Sequence, residues 1–344
     1  MAVSTNRARV RRRVALSPLV SVALLAGVAV GIVSCRSDRT VPPVLVPAFH
    51  VDGVEPRLAP VGPYDWEEVT SLDRYELDAR GLPIVRYDGI PETQPTTLAA
   101  FGLINLNSWR LTRDERALQL AVAAGRELLR IGEQRARSSI WLPFHFDFAL
   151  HGNRANTIHA PWYSAMTQGQ VLSLFVRLHR VTGDDEWKVA GRRVFETFRL
   201  VAEYDRLPDG PWIDFVDERG YLWLEEYAGD VAPMMVLNGH IYAMFGLFDW
   251  WALTGDDTAR RLFDGAATTV LAYVPELRNP GYPSWYGYRV RDDLAARSEI
   301  YHYEHIWLLD QLGVLTGDVR FHELADDLYS DFGTPEGRKH SFPD

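Results

Sequence analysis

The chain has 344 residues, of which 47% are apolar, and this is enough to bury the core of one large folded domain. Its formal net charge is −10 at pH 7, and removing the five arginines of the first 34 residues leaves −15 for the remainder. This negative charge argues against nucleic acid as a partner. The single cysteine, Cys35, has no second cysteine to pair with, so packing alone must hold the domain together.

Residues 1–35 are predicted to be a lipoprotein-type signal peptide. Five arginines precede the apolar run VALSPLVSVALLAGVAVGIVSC, whose last residues resemble a bacterial lipoprotein cleavage site. Cys35 would then carry the lipid. The alternative is an uncleaved membrane helix, because Val14 to Val33 approaches the length of a membrane span. Both interpretations predict an extracytoplasmic, membrane-anchored protein, at the cell surface or in the periplasm.

The segments around the main domain are assigned by composition. Residues 36–60 are rich in proline and polar residues, which predicts a flexible tether. Residues 61–94 are interpreted as a short N-terminal extension, and residues 333–344 as a tail. The main domain is therefore predicted to extend over residues 95–332.

One local pattern recurs four times in the main domain: two apolar-periodic runs separated by a short break. The breaks are LTRDER at 111, VTGDDEW at 181, LTGDDTA at 253 and LTGDVRF at 315. In TGD the glycine can end one helix in the left-handed conformation, and the aspartate can cap the next helix. The repeat predicts four helical hairpins stacked as an α/α toroid, an incomplete barrel in a mainly α fold. In the last hairpin the first helix is predicted to run from Ile306.

The linkers between hairpins have a different pattern. The segments WLPFHFDFAL (141–150) and PWIDFVDERGYLWLEEY (211–227) alternate like strands, and the second is expected to turn at DERG as a β-hairpin inserted in a loop. Linkers this long usually carry function, and in a toroid we expect them to build a groove over the helix starts. The aromatic residues of these loops can stack on sugar rings or simply fill the core.

Three ordered motifs connect these loops to a known family. PWYSAMTQGQ, LEEY followed by VLNGHIYAMFGLFD, and YHYEHIWLLDQL are similar, in that order, to the C-terminal catalytic region of the D-glucuronyl C5-epimerase family. The resemblance extends from about Pro95 to the end of the fourth hairpin. It implies an isomerase that converts D-glucuronyl to L-iduronyl residues in a heparosan-like polymer. No cofactor is expected, and a homodimer is left open.

The chemistry implied by this resemblance needs two acid–base groups at C5 and a cation beside the carboxylate. Matching the family's motifs residue by residue assigns these catalytic roles: LEEY gives Glu226 and Tyr227, WYGYR (285–289) resembles the family's tyrosine-x-x-arginine motif and gives Tyr286 and Arg289, and YHYEH gives Tyr301. A phenol titrates near 10, so a tyrosine base would need activation, which Arg289 or His302 could supply. Tyr286 and Tyr301 are expected to serve opposite faces of the ring, and Tyr303 is expected to be packing.

Further polar residues in the same motifs are predicted to bind the sugar. This set consists of Tyr163, Gln168, Gln170, Asn238, His240, His302 and His305. The pair in HYEH has the spacing of two metal ligands on one helical face, yet no third ligand is evident, so no metal site is predicted.

Three other functions remain open at this point. A polysaccharide lyase would remove the same C5 proton and then expel the group at C4. A non-catalytic glycan-binding surface lipoprotein would keep the fold without the chemistry. A glycoside hydrolase on an α/α toroid would require a pair of carboxylates that the sequence does not single out.

Overall fold

The computed structural model of the chain describes residues 47–59, 61–87, 89–291 and 298–334. The predicted signal peptide with Cys35, and residues 335–344 of the predicted tail, lie outside the described residues. Within the described ranges, eight α-helices form four consecutive hairpins and short strands occupy the linkers. The predicted mainly α fold with strand insertions is confirmed. None of the helices in these ranges combines the length and apolar character of a membrane-spanning segment.

Each hairpin pairs one deeply buried helix with a second helix. The pairs are α1 (Pro95–Thr112) with α2 (Glu115–Ile131), α3 (Ala165–Thr182) with α4 (Asp185–Phe195), α5 (Leu237–Thr254) with α6 (Asp257–Leu277), and α7 (Glu299–Thr316) with α8 (Val319–Asp331). The first helices are buried on most faces, whereas α2, α4 and α8 each bury one stripe. Helix α3 packs between α1 and α5, and α5 also contacts α7, so the first helices form the inner layer of the toroid.

The hairpin turns have the predicted chemistry. Gly183, Gly255 and Gly317 end their helices with φ near +70°, and in the first hairpin Arg113 takes the same left-handed conformation with φ 59°. The aspartate that follows each turn accepts backbone N–H groups of the next helix: Asp114, Asp184, Asp256 and Asp318. The second helix of each of the four predicted hairpins therefore begins with an equivalent aspartate cap.

Two glycines allow the close approach of α3 and α5. A Cβ atom on Gly246 would lie 2.4 Å from the carbonyl oxygen of Gly169, and one on Gly169 would lie 2.5 Å from the Cα of Ala243. Such distances are far below van der Waals contact, so a larger residue at either position would separate the helices.

The strands form small sheets in the linkers. Strands β1 (Glu76–Leu77), β2 (Pro83–Tyr87) and β3 (Ile90–Glu92) make an antiparallel sheet before α1, and two short pairs follow: β4 (Glu133–Gln134) with β5 (Ile140–Trp141), and β6 (Phe148–Ala149) with β7 (Thr157–Ile158). Strand β9 (Asp214–Val216) pairs with β10 (Leu222–Leu224) as the predicted hairpin at DERG, and β8 (Ala202–Glu203) joins β9 in parallel.

The predicted flexible tether is wrong for residues 47–59. Phe49 and Val54 are buried in the main core. The backbone N–H of Val54 donates to Asp264 Oδ1 at 2.9 Å, and the backbone N–H of Arg57 donates to the carbonyl of Leu315 at 2.7 Å. The proline-rich composition could not predict these contacts, because Asp264 and Leu315 lie far away in the sequence.

The predicted start of the last hairpin at Ile306 is also wrong. Helix α7 begins at Glu299, so Tyr301 and His305 lie within its first turns. Tyr303 and Ile306 pack into the main core, and this burial outweighs the weak helix propensity of the aromatic residues. Residues three apart share a helix face, so Tyr301 and Glu304 lie on one face of α7, whereas His302 and His305 lie on another.

Candidate active site

A cleft of about 740 Å³ lies between the β1–β3 sheet and the first turns of α3, α5 and α7. On one side the cleft is lined by Arg74 and Tyr75, which precede the sheet, by Glu76 of β1, and by residues 84–87 of β2. The opposite side is formed by Glu226, Tyr227 and the start of α7. The cleft therefore lies over the helix starts, where the long linkers were predicted to build a groove.

Four of the predicted catalytic side chains meet at one wall of this cleft. The Tyr286 hydroxyl donates a hydrogen bond to Glu226 Oε2 at 3.3 Å, and it lies 3.1 Å from the Tyr227 hydroxyl. The Tyr286 and Tyr301 rings are 4.4 Å apart. Tyr227, Tyr301 and Glu226 line the cleft, whereas Tyr286 is 1% exposed and lies behind them. The expectation that Tyr286 and Tyr301 serve opposite ring faces is wrong, because they are neighbours on one side.

The loop after β10 explains how Glu226 and Tyr227 both reach the cleft. The strand ends at Leu224, so the alternation of side chains stops there. Glu225, fully buried, then fixes the loop: its carboxylate accepts the backbone N–H of Tyr227 at 3.1 Å and that of Met235 at 2.9 Å.

Burial changes the protonation of this cluster. It raises the pKa of Glu226 to about 8, and the charge of Glu304 adds to that rise. Burial and the charge of Glu226 also raise the pKa of Tyr227 and Tyr286 well above the usual value for a phenol, and they raise the pKa of Tyr301 to about 12. The carboxyl group, not a phenol, is therefore the member of the cluster that titrates near neutral pH.

Glu304 is a cleft residue that the sequence analysis did not single out. It is 6% exposed, and burial raises its pKa to about 7, while a hydrogen bond with Tyr242 opposes the rise. Both residues line the cleft. The spacing of Tyr301 and Glu304, three residues apart on α7, is the sequence feature that could have predicted their shared face.

Gly239, in the first turn of α5, makes room for Glu226. A Cβ atom at this position would lie 2.3 Å from Glu226 Oε2 and 2.7 Å from its Cβ. Only a hydrogen atom fits between the helix and the carboxylate, so the LNGH motif positions Glu226 through the absence of a side chain.

Two predicted sugar-binding amides do line the cleft. Gln170 is 4% exposed and Asn238 is 3% exposed, and each contributes to the wall. Gln170 Oε1 and Asn238 Oδ1 accept no hydrogen bond from any residue that the structure describes. The rings of Phe148, Trp162 and Tyr227 also line the cleft and contact one another, with centroids 5.9 to 6.1 Å apart.

The predicted position of Arg289 beside the tyrosines is wrong. Its guanidinium binds both carboxylate oxygens of Glu218 at 2.9 Å and covers the ring of Tyr204, in a separate pocket of about 900 Å³. Arg74 and Arg86 are instead the basic side chains that line the cleft among the described residues. They come from residues 61–94, which the sequence analysis treated as an extension.

His302 and His305 face away from the cleft, contrary to prediction. Both rings are fully buried and contact Ser284: the Ser284 backbone N–H donates to His302 Nδ1 at 2.9 Å, and the Ser284 hydroxyl lies 3.0 Å from His305 Nδ1. Burial lowers the pKa of both, that of His305 to about 3. They share the face of α7 that turns toward the neighbouring loop, so neither can activate a tyrosine.

Three other predicted sugar-binding residues have structural contacts instead. Gln168, fully buried, accepts the backbone N–H of Leu142 and donates to the carbonyl of Ile140, each at 2.9 Å. His240, also fully buried, links the Leu224 N–H to the Ala266 carbonyl, and burial lowers its pKa to about 4. Tyr163 lines another pocket, where its hydroxyl accepts from Arg135 at 3.3 Å.

The chain is similar to known proteins in both sequence and fold. Residues 138–330 match the family described as D-glucuronyl C5-epimerase C-terminus. The D-glucuronyl C5-epimerase of Caenorhabditis elegans is 26% identical over 179 residues, which cover 48% of this chain and 28% of that protein. The chain thus matches well under half the length of this relative.

Two solved structures show the same fold at low sequence identity. The cellobiose 2-epimerase of Bacillus thermoamylovorans B4167 has a TM-score of 0.50 and 14% identity, with 75% of this chain and 66% of that chain covered. A D-mannose isomerase has a TM-score of 0.50 and 10% identity, with the same coverage. These similarities support the α/α toroid alone.

Proposed function

The chain belongs to the family of the D-glucuronyl C5-epimerase C-terminus, and on that premise we propose that it inverts C5 of a hexuronate residue within a polysaccharide. The observation that carries the proposal is the contact of Glu226 with Tyr286 at the wall of the cleft, where Tyr227 and Tyr301 are also exposed to a ligand. A carboxyl group with a pKa of about 8 is suited to proton transfer near neutral pH.

Inversion at C5 requires one proton to leave and one to arrive. In the proposed reaction the Glu226 carboxylate takes the C5 proton, and the electron pair of the C–H bond moves into the uronate carboxylate as an enolate-like species. The Tyr87 hydroxyl, which lines the cleft from the β1–β3 sheet facing Glu226, then donates its proton to C5 from the opposite face of the ring. The C4–O bond is not broken, so the polymer keeps its length.

Hydrogen bonds on each side of the cleft support the two proton transfers. The Tyr286 hydroxyl donates to Glu226 Oε2 at 3.3 Å and so favours the carboxylate form of the base. The Gln94 amide donates to the Tyr87 hydroxyl at 3.1 Å and would stabilise the phenolate that forms there. Water in the open cleft takes the proton from Glu226 and gives one to the Tyr87 phenolate, so both groups regain their initial states and solvent hydrogen enters the product.

Charge on the enolate-like species must be offset, and Arg74 is suited to this role. It lines the cleft, with its guanidinium over the ring of Tyr75, another cleft residue. Arg86 also lines the cleft, but its charge is paired with that of Glu76, and Arg289 is held by Glu218 in a separate pocket. A cation aimed at developing charge is among the strongest contributions to such reactions. This assignment replaces the role first given to Arg289.

Incubation with heparosan in heavy water tests the proposed function. We expect deuterium at C5, L-iduronate among the products and unchanged chain length. An unsaturated product with ultraviolet absorbance and shorter chains would instead identify a lyase. Binding of the polymer without any deuterium exchange would identify a glycan-binding protein.

A second candidate, glycoside hydrolysis, is favoured by one observation. Glu226 and Glu304 both line the cleft, and their charges interact. Paired carboxyl groups are the usual machinery of glycosidases. New reducing ends in the same incubation, with no deuterium in the polymer, would support hydrolysis and contradict epimerisation.

We also propose that the protein is exported and anchored through a lipid on Cys35. The proposal rests on the arginine-rich start and the apolar run before Cys35. Expression in a bacterium with metabolic labelling by a fatty acid tests it. We expect label in the wild type and none in Cys35→Ser, and equal labelling of both would contradict the proposal.

A further inference from the structure

The protein has a second large pocket, and its lining is richer in basic groups than that of the cleft. The pocket has a volume of about 900 Å³, and three arginines line it: Arg219, Arg289 and Arg291. Among the described residues, its lining also includes two carboxyl groups, those of Glu218 and Glu276. The lining therefore carries one net positive charge, in a chain whose formal net charge is −10. We call this site the arginine pocket.

Two of the three arginines form close ion pairs inside the pocket. Arg289 donates to both carboxylate oxygens of Glu218 at 2.9 Å. Arg219 Nη1 lies 2.6 Å from Glu276 Oε1. The other oxygen of Glu276 lies 3.6 Å from Arg291 Nη1, beyond the usual length of a hydrogen bond. Arg291 is therefore the cation whose charge is least neutralised by the described residues of the pocket.

Arg291 is nevertheless held in one position. Its Nε donates to the carbonyl of Tyr288 at 2.9 Å, and its guanidinium covers the ring of Tyr288, 3.9 Å from the centroid. Its Nη1 makes a long contact of 3.5 Å with the carbonyl of Glu276. The side chain is 36% exposed. Because the guanidinium is positioned in advance, a ligand anion could bind its remaining N–H donors at a small entropic cost.

Two other side chains of the arginine pocket are typical of sugar sites. The indole of Trp285 and the amide of Asn156 line it, and both residues are partly exposed. Flat aromatic rings stack on the C–H faces of a sugar, and an amide can both donate to and accept from hydroxyl groups. An arginine binds a carboxylate through parallel N–H donors. With Arg291, these side chains fit a uronate sugar, which combines a ring, hydroxyl groups and one carboxylate.

The arginine pocket adjoins the loop that carries Glu226. Met235 lines the pocket, and its backbone is held on both sides. Its N–H donates to the Glu225 carboxylate at 2.9 Å, and its carbonyl accepts the N–H of Tyr288 at 3.0 Å. A ligand in the arginine pocket would therefore contact the same backbone that positions the proposed base.

We propose that the arginine pocket is a second glycan-binding site, which takes the carboxylate of a uronate residue other than the one that reacts, with Arg291 as the contact for the anion. The choice of a uronate glycan rests on the proposed epimerase function. The pocket retains the glycan and takes no part in proton transfer, because neither Glu226 nor Tyr87 lines it.

Equilibrium dialysis with a labelled heparosan disaccharide tests this proposal. The disaccharide has one carboxylate, so one molecule cannot fill both sites. We expect two molecules bound per chain at saturation of the wild type, one in the cleft and one in the arginine pocket. Arg291→Gln should weaken the second site at least about tenfold, since a charge-assisted hydrogen bond is lost. The disaccharide with its carboxyl group reduced to an alcohol should not fill this site.

Arg126→Gln is the matched control. It removes the same charge from α2, where Arg126 Nη1 lies 3.5 Å from Glu186 Oε2 and the guanidinium covers the ring of Trp187. Arg126 lines neither the cleft nor the arginine pocket, so two bound molecules are expected. Arg291→Lys keeps the charge without the parallel donors and should bind with intermediate affinity. Urea unfolding checks that each variant is folded.

Dialysis and deuterium exchange decide the two proposals separately. One molecule bound per wild-type chain, or an unchanged second site in Arg291→Gln, overturns the arginine pocket as a glycan site and leaves the epimerase to its own test. An equal loss in Arg126→Gln also overturns it, and equal binding of the reduced disaccharide overturns the carboxylate contact. Loss of one of two sites in Arg291→Gln supports the pocket even if heparosan exchanges no deuterium, a result that would overturn the epimerase alone.

Discussion

The hydroxyl of Tyr286 donates to Glu226 Oε2 across 3.3 Å from a position that solvent does not reach. The Tyr227 hydroxyl lies 3.1 Å from that of Tyr286, and it also hydrogen-bonds Glu226. Hydrogen bonds from both phenols thus converge on Glu226, and they stabilise the ionised carboxylate against the burial that favours its neutral form.

Replacing the carboxylate should abolish most of the proposed activity. Glu226→Gln keeps the shape of the side chain but cannot take a proton, and general-base catalysis contributes about 10² to 10⁴ in rate. We expect deuterium exchange to fall by that factor, measured by mass spectrometry of the digested polymer. Glu299→Gln, on an exposed part of α7, is the control. Loss of less than tenfold in Glu226→Gln would contradict the assigned base.

Tyr286→Phe should move the pH profile of exchange. The hydrogen bond from Tyr286 lowers the pKa of Glu226, so removing it raises that pKa further above the usual range for a carboxyl group. The base form is the active one, and the rising limb of kcat/KM should therefore shift to higher pH. Tyr303→Phe, on a tyrosine outside the cleft lining, is the control. A lower rate with no shift in the rising limb of kcat/KM against pH would argue for a purely structural role of Tyr286.

Gly239→Ala should impair activity without unfolding the protein. The new Cβ would lie 2.3 Å from Glu226 Oε2, so the carboxylate must move. We expect at least about a tenfold loss in kcat/KM, because misplaced catalytic groups lose the benefit of positioning, while circular dichroism is retained. Gly210→Ala, whose new Cβ meets nothing within 4 Å, is the matched control. Full activity in Gly239→Ala would contradict the proposed position of Glu226.

Gly255→Ala tests the cost of the left-handed turn between α5 and α6. The residue has φ +68°, and a Cβ there would meet no atom within 4 Å, so the effect comes from the backbone alone. We expect a loss of about 1 kcal/mol in the free energy of unfolding. Urea unfolding measures it. Arg113, which tolerates a side chain at the equivalent turn, shows that the fold survives this strain.

Asp214→Asn should change how stability depends on pH. Asp214 is fully buried, no other residue in the described chain hydrogen-bonds its carboxyl oxygens, and burial raises its pKa well above the usual value. As pH rises past about 4, the aspartate loses its proton in the unfolded chain but keeps it in the folded protein. The free energy of unfolding of the wild type then falls by about 1.4 kcal/mol per pH unit until the folded pKa is reached. The variant lacks this loss, so its stability relative to wild type should increase with pH. A constant difference in urea unfolding between pH 4 and 7 would contradict the raised pKa.

The resemblance of three motifs located part of the candidate site. Glu226, Tyr227, Tyr286 and Tyr301 were predicted from LEEY, WYGYR and YHYEH, and the structure brings them together. The same alignment misplaced Arg289, because the partner that fixes its side chain, Glu218, lies 71 residues away. No local pattern contains that information.

The sequence by itself determined the four hairpins, because a helix end depends on backbone conformation and hydrogen bonds within a few residues, as at Gly183 and Asp184. Only the tertiary structure decided which side chains meet the cleft. Packing between distant segments turns Tyr301 and Glu304 toward it and turns His302 away, and it brings the β1–β3 sheet over the helix starts. Burial then raises the pKa of Glu226 toward neutral pH, an effect that arises from the surrounding protein and not from the residue itself.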